Sequence, residues 1–543
     1  ATNATNRATN DERCKQNQMV TGSSLSNGST SIGNPLSRNG KRPRQRRHRH
    51  QNCRLMLLTF AIAIILVYLW DGAADEVGEE SHSSAASRQK WEEGLPPVHQ
   101  SPSNSRLNHE TRQVKAALSP GGSPNNNNIH TASIDTVIRY LNNLAHMPAA
   151  QLWDVLGMEN SDHGDDPFSL RELESGKCPW STTDDIAVAV DWLPPRPANS
   201  ETIAEKYRSN MESLKKGRVA KRRQMERYDA QNEVVLWYEH MSKAGGTTFC
   251  GLAQSNMLTW QVPRYHCMPK KGDLNDGRVG SWPNEELLEY LSENKYAIVS
   301  NEWEPFSLEK LELSGRHLED GSSTSSSMRN NNNNHLGPQI LFLTTLRDTS
   351  DRLLSAYTFF ALTVTENARK EKNNDAPTFS QWIERLLQRA GNYRMGSKGS
   401  GFRSNIARMN HIVWRFSGGK LSHLRSLEES EWKPPFETAI RSLSQQDLIL
   451  PMDVMTQELG KTALQQLLGW DRFDAKGRQT NGDKAGGHVV TLGEIKNSNA
   501  REYFSKDEYR ALWEENWLDN ILYLWCRAVF LARLHCKDVI VES

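Results

Sequence analysis

The chain has 543 residues, 66 Lys and Arg against 65 Asp and Glu, and a formal net charge of +1. That length allows one large domain with accessory segments or a few small ones. The balanced charge gives no general argument for a nucleic-acid binder.

Charge is nevertheless uneven along the chain. KRPRQRRHRH at residues 41–50 packs six basic residues and two histidines into ten positions. Alone, such a run reads as a nuclear address or a nucleic-acid patch. The next segment changes that reading. LMLLTFAIAIILVYLW, residues 55–70, contains no charge. It is a little shorter than the roughly 20 residues that cross an average bilayer and suits the thinner membranes of the secretory pathway. Basic residues precede it and DGAADEVGEE follows it, so the expected arrangement is a type II signal anchor. Residues 1–54 would be cytosolic and the rest lumenal. The long hydrophilic stretch before the apolar run, and the lack of a small-x-small site after it, argue against a cleaved signal peptide.

Residues 71–130 are rich in Ser, Pro, Gly, Asn and charge and read as a disordered stem. Residues 131–232 read as a helical neck or as helices packed on the main domain. Apolar residues recur at helical spacing over 134–156, and 200–231 form a strongly charged helix candidate containing KKGRVAKRRQ, a basic run expected to be a solvated face. Five of the seven cysteines follow the apolar segment: Cys178, Cys250, Cys267, Cys526 and Cys536. In an oxidising lumen they permit two disulfides and one leftover thiol, with the pairing open, and none has the close spacing of a zinc site. No Asn-x-Ser/Thr sequon follows residue 70, so glycosylation offers no independent support for a lumenal location.

From residue 233 strands alternate with helices: VVLWYEH, TTFCGLAQSNML, YAIVSNEW, QILFLTTLRD and SDRLLSAYTFFALTV. This alternation predicts an α/β domain over 233–540 with a central, mostly parallel sheet flanked by helices. Residues 319–338 interrupt it as a low-complexity insertion. The C-terminal third reads as helical, with Trp513, Trp517, Leu518, Ile521, Leu522, Trp525 and Phe530 forming an apolar stripe expected to be core.

WYEHMSKAGGTTFC, residues 237–250, poses the first chemical question. A buried strand runs into a glycine-rich turn and then a helix whose first amides lack partners within that helix. Such an end attracts an anion. Glycines let backbone approach a phosphate, hydroxyls of Thr247 and Thr248 add donors, the helix dipole adds partial charge and Lys243 a full one. The lysine precedes the glycines, so this is not the nucleotide-triphosphate pattern G-x-x-x-x-G-K-[ST]. QILFLTTLRDTSDRLLSAY, residues 339–357, repeats the logic. Arg347 would stand at the carboxyl edge of the sheet, Thr349 or Ser350 would cap the next helix, and Ser355 would lie on it. An arginine fork and a hydroxyl suit a second phosphate.

KAGGTT resembles the 5′-phosphosulfate-binding loop, and LRDTSDRLLSAY the 3′-phosphate-binding element, of sulfotransferases that use 3′-phosphoadenosine 5′-phosphosulfate (PAPS). Together these motifs resemble the Golgi carbohydrate sulfotransferases, particularly those of the heparan sulfate 2-O/6-O type. SNIARMNHIVW (404–414), LILPMDVMTQELGKTALQQLLGW (448–470) and NWLDNILYLWCRAVF (516–530) resemble further segments of that family in the same order, so the resemblance covers about residues 233–535. It implies a P-loop-like sulfotransferase fold behind a single N-terminal transmembrane helix, and a catalytic domain in the Golgi lumen. It also implies PAPS as donor without a metal, and a glycan or polysaccharide acceptor. The implied donor site is Lys243, Ala244, Gly245, Gly246, Thr247 and Thr248 with Arg347 and Ser355.

The chain departs from the family pattern at three places. Ser242 replaces a proline before the lysine, Thr349 replaces a proline after Arg-Asp, and YAIVSNEWEPF lacks the histidine expected as base. Glu302 and Glu304 are the available carboxylates, either of which burial could tune for proton abstraction. Three other readings compete: a P-loop phosphotransferase, a catalytically silent membrane-tethered glycan-binding protein, and a sulfotransferase acting on protein tyrosine.

Overall fold

The structure is a computed structural model that describes residues 129–156, 167–180, 188–216, 233–263, 266–271, 274–275, 279–314, 316, 339–363, 377–390, 408–421, 427–473 and 500–541. All belong to the second of two compact units, residues 121–543. The strands are β1 (Ile129–Thr131), β2 (Val188–Val190), β3 (Val234–His240), β4 (Lys270–Lys271), β5 (Leu274–Asn275), β6 (Ile298–Asn301), β7 (Gln339–Leu346), β8 (Leu448–Pro451) and β9 (Ile540–Val541). The helices that matter here are α1 (Ile134–Ala145), α2 (Ser200–Lys216), α3 (Gly246–Asn256), α4 (Thr349–Tyr357), α5 (His411–Phe416), α6 (Glu429–Ser444), α7 (Glu458–Leu468), α8 (Lys506–Glu515) and α9 (Trp517–His535).

The central sheet has the order β6-β3-β7-β8 and every pairing in it is parallel. VVLWYEH forms its inner strand β3 and is buried at all seven positions. That pattern fits a parallel sheet covered on both faces, where β-branched and aromatic side chains pack without alternation. Trp237 meets Phe306 and Phe342 with ring centroids 6.4 Å away in each case. Burying one such ring contributes roughly 2–3 kcal/mol. The expected α/β class with a mostly parallel sheet flanked by helices is the architecture observed.

Register decides where chemistry can occur. His240 lies opposite Thr345, and Leu346 opposite Pro451. The carboxyl ends of β3, β7 and β8 therefore reach one edge of the sheet, the edge at which open α/β folds hold ligands.

A second, three-stranded parallel sheet of order β2-β1-β9 joins the start of the described chain to its end. The 131–232 segment, read from the sequence as a helical neck, contains α1 and α2 but also supplies β2 to this sheet. A three-residue strand is too short to show periodicity. The segment shares its core with the rest: Trp525 Nε1 donates to the Trp192 carbonyl at 2.7 Å, and Arg208 on α2 donates to the Gln466 carbonyl at 2.7 Å. Cys178 and Cys536 form a disulfide across the same junction, Cys250 and Cys267 form a second, and Cys526 is a buried free thiol. That is the count expected for an oxidising compartment, with the pairing now assigned. Trp513, Leu518, Ile521, Leu522, Trp525 and Phe530 on α8 and α9 are buried, and Trp517 packs partly buried beside them.

The basic run at 41–50, the apolar segment 55–70, the stem up to residue 128, most of KKGRVAKRRQ and the insertion at 319–338 lie outside the described residues. Among the described residues no helix is long and apolar enough to cross a membrane.

Candidate functional site at the carboxyl edge of the sheet

β3 ends at His240, and six residues later α3 begins at Gly246. Within that turn Lys243 has φ 67° and Gly245 φ 89°, both in the left-handed region. Gly245 is the N-cap of α3 and no side chain caps the helix, so its first amides are left for water or a ligand. Thr247 is exposed, Thr248 and Lys243 are half-buried, and Ala244 is buried. Gly246 has a second reason to be glycine: a Cβ there would lie 1.7 Å from His240 Nε2. The ring of His240 thus fills the space beneath the loop, stacked on Tyr238 at 5.5 Å.

The second element follows β7. Arg347 leaves the strand, and its guanidinium donates to the Lys243 carbonyl at 3.3 Å. Two sequence motifs 104 residues apart therefore meet at neighbouring strand ends. The expected cap is corrected here. Asp348, not Thr349 or Ser350, is the N-cap of α4, its carboxylate accepting from the Asp351 amide at 3.0 Å. An ionised carboxylate is the stronger acceptor at a helix N-terminus, and the two hydroxyl residues are turned into the interior. Burial pushes the Asp348 carboxyl up to about 6. Ser355 is half-buried on α4, one turn before Phe359.

The two candidate carboxylates part company. Glu302, just past β6, hydrogen-bonds Ser242, and its Oε2 lies 3.7 Å from His240 Nδ1. Glu304 is buried and turned elsewhere, its Oε2 accepting from the Ser281 amide at 2.8 Å. Burial pushes Glu302 up to about 8 against the Ser242 hydrogen bond and the charges of Arg415 and Lys243. Burial likewise lowers Lys243 to about 8, with Glu302 opposing the shift and Arg347 adding to it. The Lys243 ammonium sits 3.8 Å from the centroid of Phe359. Lys243, Arg347 and Glu302 hence share one electrostatic environment, whereas the Glu304 contact is to the Ser281 amide.

Sequence reasoning missed the clamp that builds this edge. Arg415, at the end of α5, donates through Nε to Glu239 at 2.6 Å and through its other nitrogens to the carbonyls of Glu302 at 2.6 Å and Asn301 at 2.7 Å. Glu239 also accepts from Trp237 Nε1 at 3.0 Å and from Asn301 Nδ2 at 2.9 Å. Asp519 on α9 holds α5 itself, accepting from the amides of Ile412 and Val413 at 2.8 and 2.9 Å. A lone arginine one residue past SNIARMNHIVW carries no local signal for such a role. Arg415→Leu would take the ion-pair partner from the buried Glu239 carboxyl, and a loss of about 3–5 kcal/mol in denaturant unfolding is expected. A midpoint within ~0.5 kcal/mol of wild type would show that the clamp is not structural.

His240 and His266 were not singled out either. Burial takes His240 down to about 3, so its ring is neutral. His266 Nδ1 lies 3.5 Å from Thr247 Oγ1, on a segment tied to α3 by the Cys250–Cys267 disulfide. An HC dipeptide far from the loop in sequence gives no hint of that proximity; only the disulfide, had it been assigned, would have done so.

Comparison with protein-family models, with curated proteins and with solved structures finds no match to this chain.

Proposed function

We propose that the chain is a PAPS-dependent sulfotransferase that transfers a sulfuryl group to a glycan hydroxyl, using a P-loop-like donor site. The observation that carries this reading is the meeting of the uncapped α3 turn and Lys243 with Arg347 at one sheet edge. Two cationic groups backed by free helix amides suit a nucleotide bearing anions at two positions.

In this reading the amides of Gly245 and Gly246 and the hydroxyls of Thr247 and Thr248 hold the 5′-phosphosulfate. Arg347 and Ser355 hold the 3′-phosphate. Glu302, in its ionised form, takes the proton of the acceptor hydroxyl as that oxygen bonds to sulfur. Lys243 neutralises the charge that grows on the departing 5′-phosphate oxygen as the sulfur–oxygen bond breaks. Phe359, 42% exposed beside Lys243, offers an aromatic face at the mouth where a sugar ring would approach. The proposal extends to the membrane: residues 55–70 as a type II anchor and a Golgi-lumenal catalytic domain, resting on the sequence alone.

The decisive experiment incubates the purified chain from residue 121 onward, or the full chain in detergent, with labelled PAPS and a panel of glycans and tyrosine peptides. Label transfer to a glycan supports the proposal, and transfer to peptide alone moves the acceptor to protein. Activity with ATP that disappears on chelation would favour a phosphotransferase. Failure to bind 3′-phosphoadenosine 5′-phosphate (PAP) would favour a silent glycan-binding protein. Arg347→Ala should weaken PAP binding by about 10²-fold in calorimetry, the loss of a bidentate phosphate contact. Unchanged affinity would return Arg347 to a purely structural role at the Lys243 carbonyl.

A further inference from the structure

Thr247 is exposed at the first turn of α3, where a hydroxyl can serve a bound anion only if its single proton points outward. Among the described residues, His266 places Nδ1 3.5 Å from its oxygen. That separation is long for a hydrogen bond, as in sites whose contacts tighten when a ligand arrives. His266 does not reach this place through regular structure. It and Cys267 both have positive φ, 47° and 58°, a conformation that costs non-glycine residues about 1 kcal/mol or more each and persists only where the surroundings enforce it.

Two ties enforce it. The Cys267 carbonyl accepts from the Ser300 amide of β6 at 2.9 Å. Its sulfur is bonded to Cys250, which lies three residues after Thr247 on α3. The imidazole is consequently clipped to the same helix whose first turn carries the hydroxyl. It is also close enough to His240 for its charge to be felt there.

We propose that His266 is a positioning residue for the anion loop: its Nδ1–H donates to Thr247 Oγ1, aiming the Thr247 hydroxyl proton at the bound 5′-phosphate, while the Cys250–Cys267 disulfide keeps the imidazole in register. This rests on the donor site proposed above and deepens it. It makes the disulfide part of the binding apparatus, so that the site is complete only in an oxidising environment.

PAP keeps the 5′-phosphate and is the probe. Calorimetry with the wild-type chain comes first, since failure of that protein to bind PAP overturns the donor site and this inference with it. With wild-type binding established, His266→Ala should weaken PAP by about tenfold. His266→Asn, whose amide nitrogen can occupy the place of Nδ1, should restore most of the loss. His266→Gln, whose amide extends toward the place of Nε2, should not. Adding His266→Ala to Thr247→Val should produce no further loss. The Cys250→Ala/Cys267→Ala pair, checked for folding by its melting curve, should match His266→Ala and add nothing to it. Unchanged PAP affinity in His266→Ala, or losses that multiply when combined with Thr247→Val, would overturn the inference and leave the donor site standing.

Discussion

Replacing Lys243 with alanine is expected to lower sulfuryl transfer by about 10³-fold or more while the protein stays folded. The ammonium belongs to the anion loop itself, and among the described residues the arginines beside it are otherwise engaged. Arg347 is engaged with the Lys243 carbonyl, and Arg415 is committed to Glu239 and the β6 carbonyls. Stability should change little for three reasons. The side chain is only half-buried. Its positive φ of 67° strains alanine as much as lysine. Its contact with the Phe359 ring contributes on the order of 0.5–1 kcal/mol. Relief of repulsion with Arg347 partly offsets that loss. The measurement is turnover with saturating donor, alongside a melting curve and PAP titration. Turnover within a few-fold of wild type would remove Lys243 from the chemistry and with it the proposed mechanism.

How much of this was readable beforehand depends on whether the signal was local. β3 and β7 were legible because a strand buried on both faces writes itself as a continuous apolar run, and the turns after them carry residues with few other uses. The meeting of Lys243 with Arg347 was inferable, since two strand-turn-helix units of one parallel sheet must present their turns at the same edge. A glycine-rich turn marks a place of close approach without saying what approaches. At Gly246 the approaching group is His240 of the protein itself. β1, β2 and β9 were invisible because two or three residues cannot show a period, and the β1–β9 pairing spans almost the whole described chain. The choice between Glu302 and Glu304 was likewise beyond the sequence. Two residues apart at the end of a strand, they differ only in which way the backbone turns after Asn301, and Asn301 is fixed by Glu239 and Arg415 from distant parts of the chain.

That turn makes Glu302 the second large-effect position. Glu302→Gln is expected to reduce turnover by about 10²-fold or more, the usual span of general base catalysis, whereas Glu304→Gln, whose amide oxygen can still accept from Ser281, should stay within a few-fold of wild type. The pH dependence supplies a sharper check. Only the carboxylate can take a proton, so wild-type turnover should rise with pH toward about 8, where Glu302 ionises. Lys243 begins to lose its charge near the same pH, about 8, which would bend the profile downward above it. A narrow bell results, its two limbs belonging to the coupled pair. Glu302→Gln should erase the rising limb. Stability runs the other way. A carboxyl held above its usual 4.5 stabilises the fold below that pH, and the contribution is lost as pH rises to about 8. Wild type and Glu302→Gln should melt together below pH 4.5, and the variant should become relatively more stable as pH climbs to about 8. A gap that does not widen with pH would mean that Glu302 is ionised at rest, and a rising limb that survives in Glu302→Gln would assign the base to another group.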